Sequence, residues 1–590
     1  MSFTTFKNKS VSSKVVLFEF GTSVSHFFYL GEESGIWRYQ WSVSKEVDFS
    51  FEIGAFCYGS FENGGHDTLT NNASEIKTMA LIVDGEIYTK VTSLANLRAT
   101  NKSFWWDDGA DGMLHIHFDA FAPPWIFSSI KIGMTVSEAN KAGVYDGKPF
   151  GSRLAGLSSL SISVDPLYYK ILGYNSLSVE LHNADGEFDN VSDLDIFGQL
   201  VEVRYGEEGA DYSDFELLNS GIIQEFALDA LNFSLDTTDK RKWFTKSVPV
   251  SFFDATTYSN IDPKNVGKPI PLAYGYCDDV PVVCTNELEV TPASYAFKLA
   301  DSTYHGIKAI DAVRVNGVAV TPASTTPATA TFTLSTADYK PGQTVTADIR
   351  GYESGGVLIE NALDVIKDLL ENYADIAYTT DTYDTTEWVA AATLAPDIQL
   401  FIDQNQAIES AIEQICVSLN GIMFLKSNGK FTFRYLHRAK SIKETITREE
   451  MSEEPVLRYA SDNFLSSLIL GYDRDYDKNE SLTHLDDSLE AEFRSLYGMT
   501  YRYEAETLLN SLADVQALAA NLLAIYAKVP QWTTIKLTNI SHIQLELLDD
   551  VTVNLDRASK PRFGSVDMRV YGISKDVIAG VMDLTLRRID

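Results

Sequence analysis

The sequence predicts a mainly β chain of several domains, with a few α-helices. Three observations lead to this fold class. Apolar and polar residues alternate with a period of two along many short segments, which is typical of half-buried antiparallel strands. Aromatic residues make up 12% of the chain, including 29 Tyr and 32 Phe, which suits β-rich cores better than a helical bundle. A set of strand-like segments also occurs twice, once early and once late in the chain.

The repeated set consists of a short alternating strand, a second alternating strand and a hairpin. The early copy covers Ser176–Leu181, Leu200–Tyr205 and Gly221–Leu235, and the late copy covers Thr533–Leu537, Asp550–Leu555 and Gly572–Leu586. The hairpins match when Gly221 is aligned with Gly572. The match is one of pattern more than identity, so the alternative that two unrelated β-meanders share the pattern stays open.

Length and charge narrow the class of protein. The 590 residues correspond to about three to five domains. The formal net charge of −34 disfavours nucleic-acid binding through a basic patch. The acidic surface either keeps a large particle soluble or lets a polyanion pass without binding to it. Both interpretations stay open. Four cysteines are too few for a disulfide scaffold. We find no membrane-length apolar run and no export signal, so we expect synthesis in the cytoplasm.

Residues 1–150 form the first predicted domain, which is β-rich and of unknown role. Strand-like segments include Val15–Phe20, Ile36–Trp41 and Met113–Phe118. Residues 151–255 hold the early copy of the repeated set. Residues 256–352 form a small β-rich inserted domain, because alternating segments are separated there by loops rich in Pro, Thr and Ala.

The period changes in residues 353–455, which predict an inserted α+β domain. Apolar residues at helical spacing predict helices within Ile359–Tyr373 and Asn405–Leu419, followed by a hairpin over Gly421–Tyr435. Residues 456–590 hold the late copy and the longest predicted helix, at about Ala505–Ala527, whose stripe includes Leu508, Leu512 and Val515.

Several segments occur in a characteristic order and spacing. They are Ser176–Asp189, Phe197–Gly206, Ser220–Glu225, Val266–Gly275, Val570–Asp576 and Asp583–Leu586. Together they resemble the baseplate hub proteins of tailed bacteriophages, also called tail tip or tail-associated hub proteins. The resemblance covers about residues 150–590 and does not extend to residues 1–150.

The resemblance implies two tube-like β-barrel domains in one chain, each with strand–helix packing, with α+β domains inserted between them. Three chains would supply six such domains and match the sixfold ring of a tail tube. The exposed sheet edges of each unit would then pair with neighbours across the ring. An acidic lumen would not trap the phosphate backbone of DNA, so DNA would pass without specific binding.

Candidate metal sites are weak. His115 and His117 lie on one face of a strand and could hold zinc, but no third ligand has a telling spacing, and the nearby Asp107, Asp108 and Asp111 suit a Gly-rich turn. Residues 183–189 space oxygens as calcium loops do, but the glycine is at the fourth place and no glutamate follows at the twelfth. A solvated strand face and a strand-ending turn are the better interpretations.

The four cysteines leave two minor alternatives. Some hub-type proteins of siphophages carry four cysteines around an iron–sulfur cluster, but Cys57 lies far from Cys277 and Cys284 in the sequence, and Cys416 is on a helical stripe where a buried thiol is usual. A disulfide between Cys277 and Cys284 stays open if the particle meets oxidising surroundings. Nucleophile, zinc-protease and phosphate-loop motifs are missing, and we assign no catalytic, cofactor-binding or metal residue.

The sequence therefore predicts a structural virion protein, the hub of a tail tip or baseplate, made in the cytoplasm of the host bacterium. It would be a homotrimer that joins a sixfold tube to a threefold tip and gates the DNA channel. Expected partners are the distal tail protein or last tube ring, the C-terminus of the tape-measure protein, and tail fibre or receptor-binding proteins.

Two alternatives come from other classes of protein. Residues 1–150 could carry a cell-wall hydrolase, although no hydrolase motif is visible. Clusters of Trp at Trp37–Trp41 and Trp105–Trp106 could form sugar-stacking platforms of a carbohydrate-binding adhesin, although core Trp is commoner.

Overall fold

A computed structural model describes residues 244–589 except 438, 460–464, 539–541 and 557–563, together with most of 139–238. Before residue 139 it describes the backbone of ten strands. The part described is mostly β, arranged in several sheets with a few helices, so the predicted fold class is confirmed at that level.

The N-terminal strands form hairpins and long antiparallel pairs. They are β1 (Lys14–Val24), β2 (Phe27–Glu33), β3 (Ile36–Trp41), β4 (Phe61–Glu62), β5 (Gly65–His66), β6 (Ala80–Val83), β7 (Glu86–Lys90), β8 (Ser103–Asp107), β9 (Met113–His117), β10 (Ile130–Ala139), β11 (Gly143–Tyr145) and β12 (Lys148–Phe150). The next strands are β13 (Leu154–Leu157), β14 (Leu160–Ser163), β15 (Leu177–His182), β16 (Leu200–Glu207), β17 (Glu216–Leu228), β18 (Asn232–Thr238) and β19 (Ser247–Val248).

These strands build the largest sheet described, in the order β13-β15-β18-β17-β16-β1-β10-β6-β7-β8-β9-β3-β2. β15 reads Leu-Ser-Val-Glu-Leu-His, and its burial alternates residue by residue as the sequence pattern predicts. β1 pairs with β16 in an antiparallel register that places Leu17 opposite Arg204. The sheet is therefore continuous across the predicted boundary at residue 150.

The inserted part begins with short strands and then alternates strands with helices. Its first strands are β20 (Leu272–Tyr274), β21 (Tyr276–Pro281), β22 (Val283–Cys284), β23 (Tyr295–Lys298), β24 (Ile307–Val315), β25 (Val318–Val320), β26 (Ser324–Thr326), β27 (Thr331–Leu334), β28 (Val345–Ser354) and β29 (Val357–Leu358). Then follow α1 (Ala362–Tyr373), α2 (Thr385–Ala392), β30 (Leu400–Ile402), β31 (Gln406–Ala407), α3 (Ile408–Leu419), β32 (Gly421–Leu425) and β33 (Phe431–Tyr435).

Helices α1 and α3 form where their apolar stripes predict them. Asn361 caps α1 through its side-chain oxygen, which accepts from the Leu363 amide at 3.1 Å. Buried Leu363 and Ile366 of α1, and Ile412 and Ile415 of α3, belong to one large hydrophobic core. The predicted hairpin over 421–435 is confirmed by the pairing of β32 with β33.

The C-terminal elements complete the fold. They are β34 (Ile442–Ile446), β35 (Val456–Tyr459), β36 (Ser467–Asp475), β37 (Glu480–Asp486), α4 (Glu490–Tyr497), β38 (Arg502–Glu506), α5 (Leu512–Tyr526), β39 (Gln531–Leu537), β40 (Asp550–Asn554), β41 (Ser565–Asp576) and β42 (Val581–Arg588). A seven-stranded sheet has the order β34-β40-β41-β42-β39-β35, with β14 also paired to β41. An eight-stranded sheet combines β25-β24-β28-β21-β36-β37 with β29 and β38.

The predicted start of the longest helix is wrong. Helix α5 begins at Leu512, where the Ser511 side chain accepts from the Ala513 amide. Residues 502–506 instead form β38, which pairs in parallel with β36. The local pattern of these residues fits a helix as well as a strand, and the hydrogen bonds to β36 decide in favour of the strand. Among the described residues, we find no helix long and apolar enough to cross a lipid bilayer.

Candidate functional site: the sheet edges of the repeated units

The two predicted copies of the repeated set share one topology. The first unit (β15–β18) has the order β15-β18-β17-β16, and the second unit (β39–β42) has the order β39-β42-β41-β40. Counted by position within the unit, both orders are first, fourth, third, second. All neighbouring strands within both units are antiparallel. The predicted repeat is therefore confirmed at the level of strand order.

A β-bulge occurs at the same place in both units. In β17 the register shifts between Ile223 and Glu225, and in β41 it shifts between Val570 and Gly572. Each bulge directly follows the stretch that pairs with the second strand of its unit. A bulge bends a strand and redirects its edge. Glu225 is therefore the structural counterpart of Gly572.

The alignment of Gly221 with Gly572 is wrong by four residues. Gly221 lies opposite Val201 within the first unit, whereas Gly572 lies beyond the stretch that pairs with β40. An alternating pattern fits equally well after any even shift, because every second side chain points to the same face. The pattern could reveal that the units are related but not their register.

In the second unit the edge beyond the bulge is occupied by a strand from elsewhere in the same chain. Strand β14 pairs antiparallel with β41, from Leu160 opposite Lys575 to Ser163 opposite Gly572. The Val164 amide continues the ladder by donating to the Tyr571 carbonyl at 2.7 Å. We call residues 572–575 the filled edge.

The equivalent stretch of the first unit, residues 225–228, pairs with β18 on one side. Pairing on its other side ends at Ile223, whose amide donates to the Gln199 carbonyl at 3.0 Å. Beyond that point, no strand in the described part of the chain occupies this side. Glu225 and Ala227 are exposed. We call residues 225–228 the open edge.

Apolar side chains surround the open edge. Phe226 packs against Phe197 with ring centroids 5.2 Å apart, and Phe197 is 57% exposed. Leu231, in the turn that follows, is 62% exposed. Unpaired backbone groups beside exposed apolar side chains favour pairing with another strand.

Polar side chains connect the two units with each other and with the inserted part. The Arg434 guanidinium donates to Glu387 at 2.8 Å and to Asp549 at 2.9 Å. Burial alone would raise the pKa of Glu387, but the hydrogen bond and charge of Arg434, with the charge of Lys426, lower it to about 2. Gln544, preceding the second unit's β40, donates to Glu216 of the first unit at 3.3 Å.

Sequence-predicted metal candidates are not brought together in the described part. His115 and His117 lie on β9, but their side chains are outside the described residues, as are those of Asp107, Asp108 and Asp111 and of the Trp clusters. Asn183 is buried, and its side-chain oxygen accepts from the Phe188 amide at 2.7 Å, which supports the turn interpretation. Among the residues described, no group of three or more His, Cys, Asp or Glu could hold a metal ion.

The three described cysteines are free and buried. Cys277 and Cys284 lie on β21 and β22 and do not form a disulfide. Burial raises the pKa of Cys277 well above its ordinary range and raises those of Cys284 and Cys416 to about 12. All three thiols are therefore protonated and unreactive at neutral pH. Cys57 lies outside the described residues.

Sequence reasoning missed the feature that distinguishes the two edges. β14 is only four residues long and pairs with a strand more than four hundred positions away. Its sequence, Leu-Ser-Ile-Ser, alternates as any strand does and does not identify its partner. The identity of the paired strand is a tertiary property.

Comparisons with known proteins give matches among solved structures. No family model matches, and no curated protein matches. A tail protein from Neisseria meningitidis MC58 is 11% identical and covers 74% of this chain and 95% of its own, with a TM-score of 0.36. The 43 kDa tail protein of prophage MuSo2 from Shewanella oneidensis is 10% identical to this chain. The match covers 76% of this chain and 96% of that protein, with a TM-score of 0.35.

A third match is to a chain in the virion of a native gene transfer agent particle. It is 12% identical, covers 60% of this chain and 92% of its own, and has a TM-score of 0.40. The solved structures to which this chain is similar are thus tail and virion proteins.

Proposed function

We propose that the chain is a structural virion protein that forms the hub of a tail tip or baseplate. In this proposal three copies assemble into a closed ring of six units, three first units alternating with three second units. The ring adapts the sixfold tail tube to a threefold tip, and its role is mechanical. This is the arrangement that a duplicated unit makes available to a threefold assembly.

The difference between the open edge and the filled edge carries the proposal. The two units have the same strand order and the same bulge, yet in the described part of the chain only the second has a strand paired beyond the bulge. In a closed ring every unit has a neighbour on each side. We infer that the open edge of the first unit receives a strand from the next copy, as the filled edge receives β14 from its own chain.

The proposed partners follow from the position of such a ring. One face would contact the distal tail protein or the last ring of the tail tube, and the other would carry fibre or receptor-binding proteins. The lumen would hold the C-terminus of the tape-measure protein before DNA passes. The net charge of −34 supports passage of DNA without binding, because like charges repel.

Hydrogen–deuterium exchange on the assembled and the monomeric protein tests the edge pairing. We expect mass photometry to find a species of three chains, each of 65.5 kDa. Amides of 225–228 should exchange slowly in that species and quickly in the monomer. The filled edge, 572–575, is the internal control, because β14 already protects it in a single chain.

Equal exchange of residues 225–228 in both species would overturn the proposed pairing. A species of two or four chains as the largest closed assembly would overturn the threefold ring.

The gating role is a separate part of the proposal. The inserted residues 256–455 would close the lumen and move when the tip engages the host. Electron cryomicroscopy of particles before and after DNA release should find them displaced, and finding them in the same place would contradict gating.

A further inference from the structure

A basic pocket lies between the end of helix α5 and the last strands of the second unit. Its volume is about 420 Å³, which is the size of a small-ligand site. The residues that line it come from α5 and the loop after it, from β35, β39, β41 and β42, and from the segment after β33. Those used below are His437, Lys440, Lys528, Arg569, Arg587 and Arg588.

The charge of this pocket is opposite to that of the chain. Two Lys and three Arg line it, and among the described lining residues there is no carboxylate. Arg569 is paired with Asp550 at 2.7 Å, and Lys440 is paired with Asp567. The positive charge of Arg587 has no carboxylate within ion-pair distance among the described residues. A cluster of basic side chains in a protein of net charge −34 favours an anionic ligand.

The most informative residue of the pocket is Arg587. Its side chain is buried, with the residue only 5% exposed. Its Nη2 donates to the Ile525 carbonyl at 2.7 Å, and its guanidinium lies 4.9 Å from the ring centre of Tyr526. Its Nη1 is buried and has no hydrogen-bond partner in the described part of the chain. A guanidinium cannot lose its proton, so the described part of the chain leaves both this charge and the Nη1 donor without a partner.

The groups around Arg587 offset only part of the free energy that burial of its charge costs. The carbonyl of Ile525 belongs to the last turn of α5, where the helix carries about half a negative charge. The faces of the Tyr526, Trp532 and Tyr571 rings also attract the cation, at 4.9, 5.8 and 5.9 Å from the ring centres. Neither supplies a full negative charge, and neither supplies an acceptor for Nη1.

A second polar atom in the pocket is also unpartnered. The Nδ1 atom of His437 is buried without a hydrogen-bond partner among the described residues. Burial and the nearby charge of Arg569 lower the pKa of His437, so the imidazole is neutral at pH 7. In the tautomer that carries hydrogen on Nδ1, it would add a neutral donor beside the cations.

We propose that this basic pocket binds an oxyanion, the phosphate or carboxylate group of a small ligand, with Arg587 as its main partner. The planar guanidinium offers paired donors that match two oxygens of either group. Arg588, whose Nη1 donates to Gln531 at 3.1 Å, and Lys528 supply further positive charge. Nothing in the ring proposal requires this site.

Isothermal titration of the full chain with inorganic phosphate and with acetate tests the proposal and separates the two ligand chemistries. Chloride keeps the ionic strength constant. Concentrations up to about 10 mM would detect a Kd of roughly 1 mM. We expect saturable binding of at least one of the two anions. Arg587→Met, which keeps an apolar stem, should weaken anion binding about tenfold or more. The affinity of Arg587→Lys should lie between those of the wild type and Arg587→Met.

Two further substitutions keep the proposal testable if an Arg587 variant does not fold. Arg588→Gln and Lys528→Ala change the charge of the pocket at residues less enclosed than Arg587, and together they should weaken binding several-fold. Arg350→Met, in the eight-stranded sheet and paired there with Asp311, is the matched control and should bind as the wild type does. Thermal unfolding identifies any variant that has not folded.

Absence of saturable binding by the wild type to either anion would overturn the proposal. So would equal binding by the wild type and the Arg588→Gln, Lys528→Ala double variant. The titration is made on the isolated chain, so a negative result leaves the proposed ring unaffected.

Discussion

Gly275 illustrates how one residue fixes a junction of strands. It joins β20 to β21 with a φ of 67°, a conformation that L side chains rarely adopt. A Cβ added here would lie 1.8 Å from the Ile398 carbonyl oxygen, which is backbone and cannot move away cheaply. Gly275 closes the Val266–Gly275 segment that contributes to the resemblance, and its constraint gives that motif a physical reason.

We predict that Gly275→Ala destabilises the inserted part severely. Gly267→Ala is the matched control, because Gly267 also has positive φ, 85°, but nothing lies within 4 Å of an added Cβ. The control should cost about 1–2 kcal/mol from backbone strain alone. Thermal unfolding should give a much lower midpoint for Gly275→Ala, and equal midpoints would contradict the predicted clash.

At the scale of elements, one histidine connects three segments around the second unit. The Nδ1 of His542, in the turn before β40, contacts Glu444 of β34, and its Nε2 lies 3.1 Å from Glu450, in the turn after β34. Burial alone would lower the pKa of His542, but the two carboxylates outweigh it and raise the pKa above its ordinary value of 6.5.

The sign of the resulting pH dependence follows from the raised pKa. The folded state holds the His542 proton more tightly than the unfolded state, so this stabilisation is complete below pH 6.5 and is lost as pH rises through the folded-state pKa. His542→Gln should therefore lower the urea midpoint at pH 6 and have less effect as pH rises.

Urea unfolding of both proteins between pH 6 and 9 measures this difference. His484→Gln, on β37 in another sheet, is the matched control for the loss of a histidine outside this cluster. A difference between His542→Gln and the wild type that grows with pH would show that the imidazole is not held as a cation.

At the scale of the whole molecule, net charge opposes the proposed ring. Each copy carries −34, and copies brought together repel one another. Raising the salt concentration from about 10 to 100 mM shortens the screening length from about 30 to 10 Å. We therefore predict that the fraction of three-chain species increases with salt at fixed protein concentration.

Sedimentation velocity across this range would measure the fraction, with sodium and potassium chloride compared at equal ionic strength to separate screening from a specific ion effect. A fraction that falls as salt increases would mean that attraction between opposite charges holds the copies together.

The sequence predicted those parts of the fold that local patterns determine. The alternation in 177–182 and the apolar stripe of Leu363, Ile366 and Leu370 each identify an element, because burial of one face imposes the period. Helices α2 and α4 were not predicted, since each has only eight residues. The register of the hairpins and the start of α5 depended on pairing with distant strands.

The candidate sites were less predictable than the elements. The open edge is recognised only by comparison with the filled edge, which pairs with β14 from more than four hundred positions earlier in the sequence. The basic pocket combines His437, Lys528 and Arg587, which are far apart in the sequence and unremarkable individually. Arg587 is buried without a counterion among the described residues, and burial of this kind has no local sequence pattern.

The crossing from β13 to β14 has a mechanical consequence. β13 pairs with β15 of the first unit, and only Ser158 and Ser159 separate it from β14, which pairs with β41 of the second. Two residues span at most about 7 Å, so this connection is too short to let the two units move apart. Tension applied to one is transmitted to the other as shear along this short ladder. Rotation of one unit would therefore turn the other unit with it.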